Sequence, residues 1–388
     1  MTIESMLVSK EVIVVTGPGG VGKTSVAAAL GAAAATRLNG KVLVLTVDPA
    51  RRLATALGLE SFGNVERQVD TDLFDEAGVD PVGELWIAML DTKASWDDLI
   101  VEHAPDKATE KAILDNALYR NITGRFVQSH DYIAMERLHE IHTSGRYDLV
   151  IVDTPPTRSA LDFLDAPERM ADFFSSRLLR WLIAPARSRL VNAAAKPFTV
   201  VADKLLGAKF LADIGEFFLL FQTLYDGFVE RAESVQRTLA DSRTTFVVVT
   251  TPEPGPASEA RFLLAELNKR SYGIGAVVAN RVLPDVFMTR GAATAAKNLR
   301  KEAPTLSATI LAKGGSKSAA MEGKEQAVGE GVLREVADRF DDFRLLAAQG
   351  QAVLDELPRD DAPVVTVPYL ENEIVDLRGV LALGEKLT

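Results

Sequence analysis

Residues 11–24 read EVIVVTGPGGVGKT. Glu11 to Thr16 is a short β-branched run of the kind that forms a buried strand. Gly17 to Thr24 fits G-x-x-x-x-G-K-[ST], the phosphate-cradling loop. The alanine-rich run from Ser25 to Thr36 follows as a helix with no early breaker. A strand, a glycine loop and a helix in that order aim backbone N–H groups and a helix N-terminus at a polyphosphate. Gly17, Gly19, Gly20 and Gly22 allow the tight path and close approach that a Cβ would block, and Val21 and Ser25 complete the cradle. Lys23 is placed to reach the β- and γ-phosphates, and the Thr24 hydroxyl to ligate Mg²⁺.

Two further strands end in carboxylates. Lys41 to Val47 (KVLVLTV) runs into Asp48-Pro-Ala-Arg-Arg52, and an acid just beyond a buried strand lies at the sheet edge where open α/β folds bind ligands. Asp48 also suits a helix N-cap, with Pro49 at the first helical position. Asp148 to Val152 (DLVIV) runs into Asp153-Thr-Pro-Pro-Thr157. In a chain with a phosphate loop, an acid there is the expected holder of Mg²⁺. The two prolines stop the strand and force a loop into a helix at Ser159 to Leu164, an element suited to move when the γ-phosphate is lost.

Other strands are expected at Leu85 to Leu90, Thr244 to Thr250, Ile274 to Ala279 and Pro363 to Val367, with helices at Ser258 to Lys269 and Glu335 to Leu357. Short buried strands alternating with helices give an α/β fold, a doubly wound and mostly parallel sheet. Residues 60–84 are rich in Gly, Asp and Glu and read as a loop; 291–330 read as loosely helical or partly mobile. Helical patterns also cover 95–145 and 166–240, and 388 residues leave room for an inserted subdomain within one domain spanning 1–388. His139 and His142 lie three apart, but no acid completes a metal motif, so they belong to a solvated helix face.

Composition sets limits. A hydrophobic content of 47% with 25% charged residues suits a globular protein with a full core. The net charge of −11 argues against nucleic acid as a partner, since phosphate backbones need a basic surface. With no cysteine, disulfides, thiolate zinc sites and thiol catalysis are excluded, which fits a cytoplasmic protein. The opening MTIESMLVSKEVIVV lacks the basic and long apolar parts of a secretory signal, and no stretch reaches membrane-spanning length. Contact with a membrane would be peripheral. Nine of the 17 phenylalanines fall between Phe163 and Phe228. In Lys209 to Glu230 they recur at helical spacing, as core and dimer packing or as a groove for an apolar client helix.

The phosphate loop, VDPARRL (47–53), VDTPPTRSALDFL (152–164), VVTTPEPGPASEARFLLAEL (248–267), ANRVLP (279–284) and VTVPYL (365–370) together resemble the arsenite-pump ATPases and the ATPases that target tail-anchored membrane proteins. The resemblance implies a P-loop NTPase that closes over ATP as a homodimer or as a heterodimer with a paralogue. By motif match, Asp48 orients the attacking water, Asp153 organises Mg²⁺, Asn280 hydrogen-bonds adenine and Pro368-Tyr369-Leu370 line its pocket. The catalytic set is thus Lys23, Asp48 and Asp153, and the metal set Thr24, Asp48 and Asp153. Regions 95–145 and 166–240 would bind a hydrophobic protein client. Two departures stand out. Pro18 occupies the position where the family carries a second lysine that reaches across the dimer, a role left to Arg51, Arg52 or an asymmetric partner. The family's metal- and metalloid-binding cysteines are missing. Three functions remain open: a switch ATPase that carries hydrophobic segments, the energising subunit of an anion pump, and a slow nucleotide-binding partner of a lysine-bearing paralogue.

Overall fold

Alternation of buried side chains along each central strand is what gives this chain a sheet covered on both faces. In the computed structural model, the described residues are 2–47, 65–116, 119–120, 127–156, 217–220, 224–314, 319–359, 361–370 and 374–388, with Asp165, Arg169 and Asp172. Asp48, Arg51, Arg52, the helix expected at 159–164 and most of 166–240 lie outside them.

The strands are β1 (Val12–Thr16), β2 (Lys41–Thr46), β3 (Arg67–Gln68), β4 (Glu84–Met89), β5 (Leu149–Asp153), β6 (Thr244–Thr250), β7 (Ile274–Val282) and β8 (Val364–Pro368). They form one sheet in the order β3-β4-β2-β5-β1-β6-β7-β8. Every pairing is parallel except that of β3 with β4. The chain leaves β1 toward β2 on one side and, after β5, passes to β6 on the other. The carboxyl ends of β1 and β5 therefore flank the kind of crevice in which open α/β sheets bind ligands.

On one face, Ile13, Val15, Val44 and Ile151 pack against α1 (Ile3–Ser9), α2 (Lys23–Ala35), α3 (Thr71–Ala77) and α11 (Leu377–Leu387). Alanine makes α2 thin enough to lie buried between the sheet and α11, whose Val380, Leu383 and Leu387 are also buried. On the other face, Val12, Val14, Leu43 and Val150 pack against α4 (Thr92–His103), α5 (Lys107–Asp115), α6 (Val127–Thr143), α7 (Tyr225–Ala240) and α8 (Pro254–Lys269).

Two expectations are corrected. The stretch read as a loop over 60–84 holds, from residue 65 onward, edge strand β3 and helix α3, which is capped by Asp70 accepting from the Asp72 N–H at 3.1 Å. A two-residue strand and a seven-residue helix are too short to leave a periodic signal. The loosely helical stretch 291–330 is instead mostly two regular helices, α9 (Arg290–Gly314) and α10 (Ala319–Asp355). Pro304 inside α9 works against a helix by roughly 3 kcal/mol. The packed seam outweighs it: Ala292, Ala296, Ala303 and Ser307 of α9 and Ala337 of α10 are buried. Alanine seams carry little hydrophobic contrast, which is why periodicity understated these helices. Arg300 also bonds Asp338 and Asp341 across the seam. That network is exposed and screened by water, so packing decides.

The histidine pair is also not a solvated face. His142 Nε2 lies 3.1 Å from Glu11 Oε2. Half-buried His139 and His103 line a cavity of about 180 Å³ between α4, α6 and α7. The ion pair of buried Glu136 with half-buried Arg231 (2.8 Å) faces the same cavity. Burial and then Arg231 push both rings below 6.5; Glu102 and Glu140 oppose this at His103, while His142 and Arg237 add to it at His139. A depressed folded-state pKa means the unfolded chain binds more protons. The neutral rings' contribution is therefore intact above 6.5 and is lost as pH falls below it. The thermal unfolding midpoint should drop between about pH 7.5 and pH 5, and replacing His103 and His139 together by asparagine should shrink that drop. Calorimetric scans at the two pH values measure both.

Candidate nucleotide-binding site

At the end of β1 the chain bends through Gly17 at φ 149°, where an added Cβ would lie 2.1 Å from the Val249 carbonyl oxygen of β6. Gly22, at φ 96°, caps α2; a Cβ there would meet the Asn280 amide at 2.4 Å. Both positions require glycine for conformation and for space. Helix α2 has no side-chain N-cap, so its first-turn N–H groups face the loop, as an anion-binding terminus needs. Lys23 is buried, and its Nζ donates to the Pro18 carbonyl at 2.9 Å. The ammonium is thereby folded over the loop. Pro18 itself is buried.

Asp153, at the end of β5, is fully buried. Its Oδ2 accepts from the Thr24 hydroxyl at 2.7 Å and from the Thr46 hydroxyl at 3.0 Å. Thr46 ends β2 and stands beside Asp153 in the strand register. It was not among the expected site residues; the only signal in the sequence is a polar residue closing an apolar strand one position before Val47. Thr154 fastens the same corner to β1, its N–H and hydroxyl donating to the Val15 carbonyl at 3.1 and 3.0 Å. Two hydroxyls and a carboxylate, all hard oxygen donors at the mouth of the phosphate loop, suit Mg²⁺.

Asn280 reaches the loop from β7. The pairing of β7 with β8 shifts register between Ala279 and Val282, and Arg281 adopts φ 58°. Asn280 Nδ2 donates to the Val21 carbonyl at 2.8 Å, and its Oδ1 accepts from the Arg281 N–H at 2.9 Å. The amide thereby holds the loop. Pro368 closes β8, the exposed Tyr369 donates its N–H to Val282 at 3.0 Å, and half-buried Leu370 follows on the same sheet edge. The fold thus brings Gly17 to Ser25, Asp153 and Asn280 together. Among the described residues no group of three or more histidines and acids is arranged to hold a metal on protein ligands alone. No helix there is long and apolar enough to cross a membrane.

A family model described as anion-transporting ATPase matches residues 10–303, from the phosphate loop past Asn280. The chain belongs to the anion-transporting ATPase family. The eight-stranded, mostly parallel sheet is the P-loop NTPase architecture of that family. Three relatives are similar over about the same extent. An uncharacterized protein of Streptomyces coelicolor is 31% identical over 277 residues, covering 70% of this chain and 63% of the relative. An ATPase ASNA1 homolog of Entamoeba dispar is 25% identical, covering 70% and 76%. The ATPase get3 of Pyrenophora tritici-repentis is 25% identical, covering 73% and 77%. The matched stretch therefore spans less than two thirds of the Streptomyces protein.

Because Asn280 anchors Val21, Asn280→Ala should loosen the loop while leaving the core intact. ATP affinity should fall about three- to tenfold, the effect of losing one partly buried hydrogen bond. Isothermal calorimetry measures the affinity, and an unchanged circular dichroism spectrum shows that the fold is retained.

Proposed function

We propose that this chain is a Mg²⁺-dependent ATPase that works as a dimer and couples its nucleotide state to binding of hydrophobic membrane-protein segments. The observation that carries the proposal is the Thr24–Asp153 hydrogen bond. It joins the phosphate loop to the strand whose Asp153-Thr-Pro-Pro exit leads toward the apolar 166–240 region. Nucleotide chemistry at Thr24 can then be felt along β5.

In this reading Lys23 leaves the Pro18 carbonyl to neutralise the β- and γ-phosphates, and the α2 N-terminus holds the remaining charge. Thr24 and Asp153 hold Mg²⁺, which when bound supplies Lewis-acid stabilisation of phosphate charge. Thr46 keeps the Asp153 carboxylate aimed at that position. Asp48 orients water for attack on the γ-phosphate and serves as a further metal-side acid. Asn280, Tyr369 and Leu370 line the base pocket. The partner is a second copy or a paralogue, the work is done in the cytoplasm or at the inner membrane surface, and nucleic acid is not bound.

The family's description favours a second reading, an energising subunit of an anion pump. Without cysteine, thiolate binding of arsenite is closed to it, whereas oxyanions remain open. Capture of a single apolar helix in the ATP state but not the ADP state supports the first reading; ATP-driven anion export without such capture supports the second.

Two turnover measurements follow. Asp48→Asn should still bind ATP while steady-state hydrolysis falls about a hundredfold, the usual cost of removing one group that acts on the transition state. Wild-type turnover in that variant would contradict the role of Asp48. Pro18 brings no cation to a partner's phosphates, so the chain alone should turn over slowly. Mixing it with a lysine-bearing paralogue should raise the rate, since such a cation is worth about 10³-fold or more elsewhere. Brisk turnover by the chain alone, unmoved by the paralogue, would assign the role to another group.

A further inference from the structure

Thr16 closes β1 immediately before the phosphate loop and is only 2% exposed. Its hydroxyl has no hydrogen-bond partner among the described residues. A hydroxyl taken out of water without a partner is costly, and such atoms are rare in folded proteins. The local sequence explains why this one is left over. A threonine commonly accepts from the backbone N–H two residues on. Here that residue is Pro18, which has no N–H.

What stands beside Thr16 indicates where the hydroxyl is used. Val12 and Val14 of β1 point to the face covered by α4 to α8, so Thr16 points there too by strand alternation. Its neighbour across the sheet is Thr154. Val15 pairs with Asp153 in the parallel register, and the Thr154 N–H continues the ladder to the Val15 carbonyl at 3.1 Å. The Thr154 hydroxyl is satisfied by the same carbonyl at 3.0 Å. Thr154 also opens the Thr-Pro-Pro exit of β5, which lies against the phosphate loop: a Cβ added to Gly19 would stand 3.8 Å from the Pro156 Cβ. Pro155 and Pro156 have no N–H, so their backbone offers carbonyl acceptors alone. An unused donor on Thr16 thus adjoins a stretch of chain that presents only acceptors.

We infer that Thr16 is a positioning residue for the switch: with Mg²⁺-ATP in the loop, the Thr-Pro-Pro exit shifts and one of its carbonyls accepts from the Thr16 hydroxyl. The inference rests on the nucleotide reading above and adds to it the group that receives the moving segment. Thr16 acts through the exit of β5 and touches no phosphate. Because its hydroxyl is unpaired in the nucleotide-free chain and paired in the triphosphate state, it biases the equilibrium toward the latter.

Thr16→Val keeps the shape of the side chain and removes the hydroxyl, whereas Thr16→Ser keeps the hydroxyl. Thermal unfolding of the nucleotide-free full chain is compared with calorimetric affinity for a non-hydrolysable ATP analogue and for ADP, both with Mg²⁺. Without nucleotide, Thr16→Val should unfold at a midpoint no lower than wild type, since no hydrogen bond is lost. Its affinity for the analogue should fall about three- to tenfold, the effect of one lost hydrogen bond. Its affinity for ADP should be unchanged, and Thr16→Ser should bind the analogue as wild type does. A lower midpoint for nucleotide-free Thr16→Val would mean that the hydroxyl is already paired, and would overturn the inference. So would an equal loss of ADP affinity, or a Thr16→Ser variant weakened as much as Thr16→Val. Wild-type affinity for the analogue in Thr16→Val would overturn it while leaving the nucleotide reading intact; a wild-type chain that does not bind the analogue would overturn both.

Discussion

The fully buried carboxylate of Asp153 is the constraint around which the nucleotide edge is arranged. A carboxylate removed from water is costly unless hydrogen bonds replace its hydration. Here the Thr24 and Thr46 hydroxyls both donate to its Oδ2. One group thereby ties the first turn of α2, the end of β2 and the end of β5 to a common point. Thr154 and Val47 extend the tie through backbone bonds to Val15 and Asp153. The phosphate loop gains a fixed floor on that side, and Asn280 fixes its other side through Val21. A cradle held at both rims is pre-organised for an anion, so binding does not have to order it.

How much of this could be read from the sequence depended on how local the cause was. The phosphate loop was legible because its glycines answer local demands, the positive φ of Gly17, Gly20 and Gly22. The central strands were legible because burial on both faces forces continuous β-branched runs. The part played by Thr46 was not, because it comes from the lateral register of β2 against β5, which no local pattern encodes. Nor was the anchoring of Val21 by Asn280, a contact across 259 residues. The hairpin of α9 and α10 was underestimated for a different reason. Its seam is built of alanine, serine and glycine, which pack closely without the contrast that periodicity detects.

The two faces of the sheet serve different ends. The α2 face is thin and tightly packed, with α11 sealing the alanine helix. It supports the loop rigidly. The opposite face carries longer helices, the pair of buried Glu136 with half-buried Arg231, and a polar cavity beside half-buried histidines. Removing either partner of such a pair leaves an uncompensated charge, so this layer tolerates fewer alternative packings than an apolar one. A rigid nucleotide edge joined through β5 to a separate helical layer is an arrangement that can pass a change at the phosphates to a distant surface.

The central claim is that Lys23, now folded onto the Pro18 carbonyl, exists to meet a nucleotide's phosphates. The most direct test is calorimetric titration of the wild-type chain and Lys23→Ala with ATP in the presence of Mg²⁺. The account predicts affinity at least about tenfold weaker in the variant, or about 1.4 kcal/mol, because backbone amides cannot replace the lost charge. Equal affinities for the two proteins would contradict it.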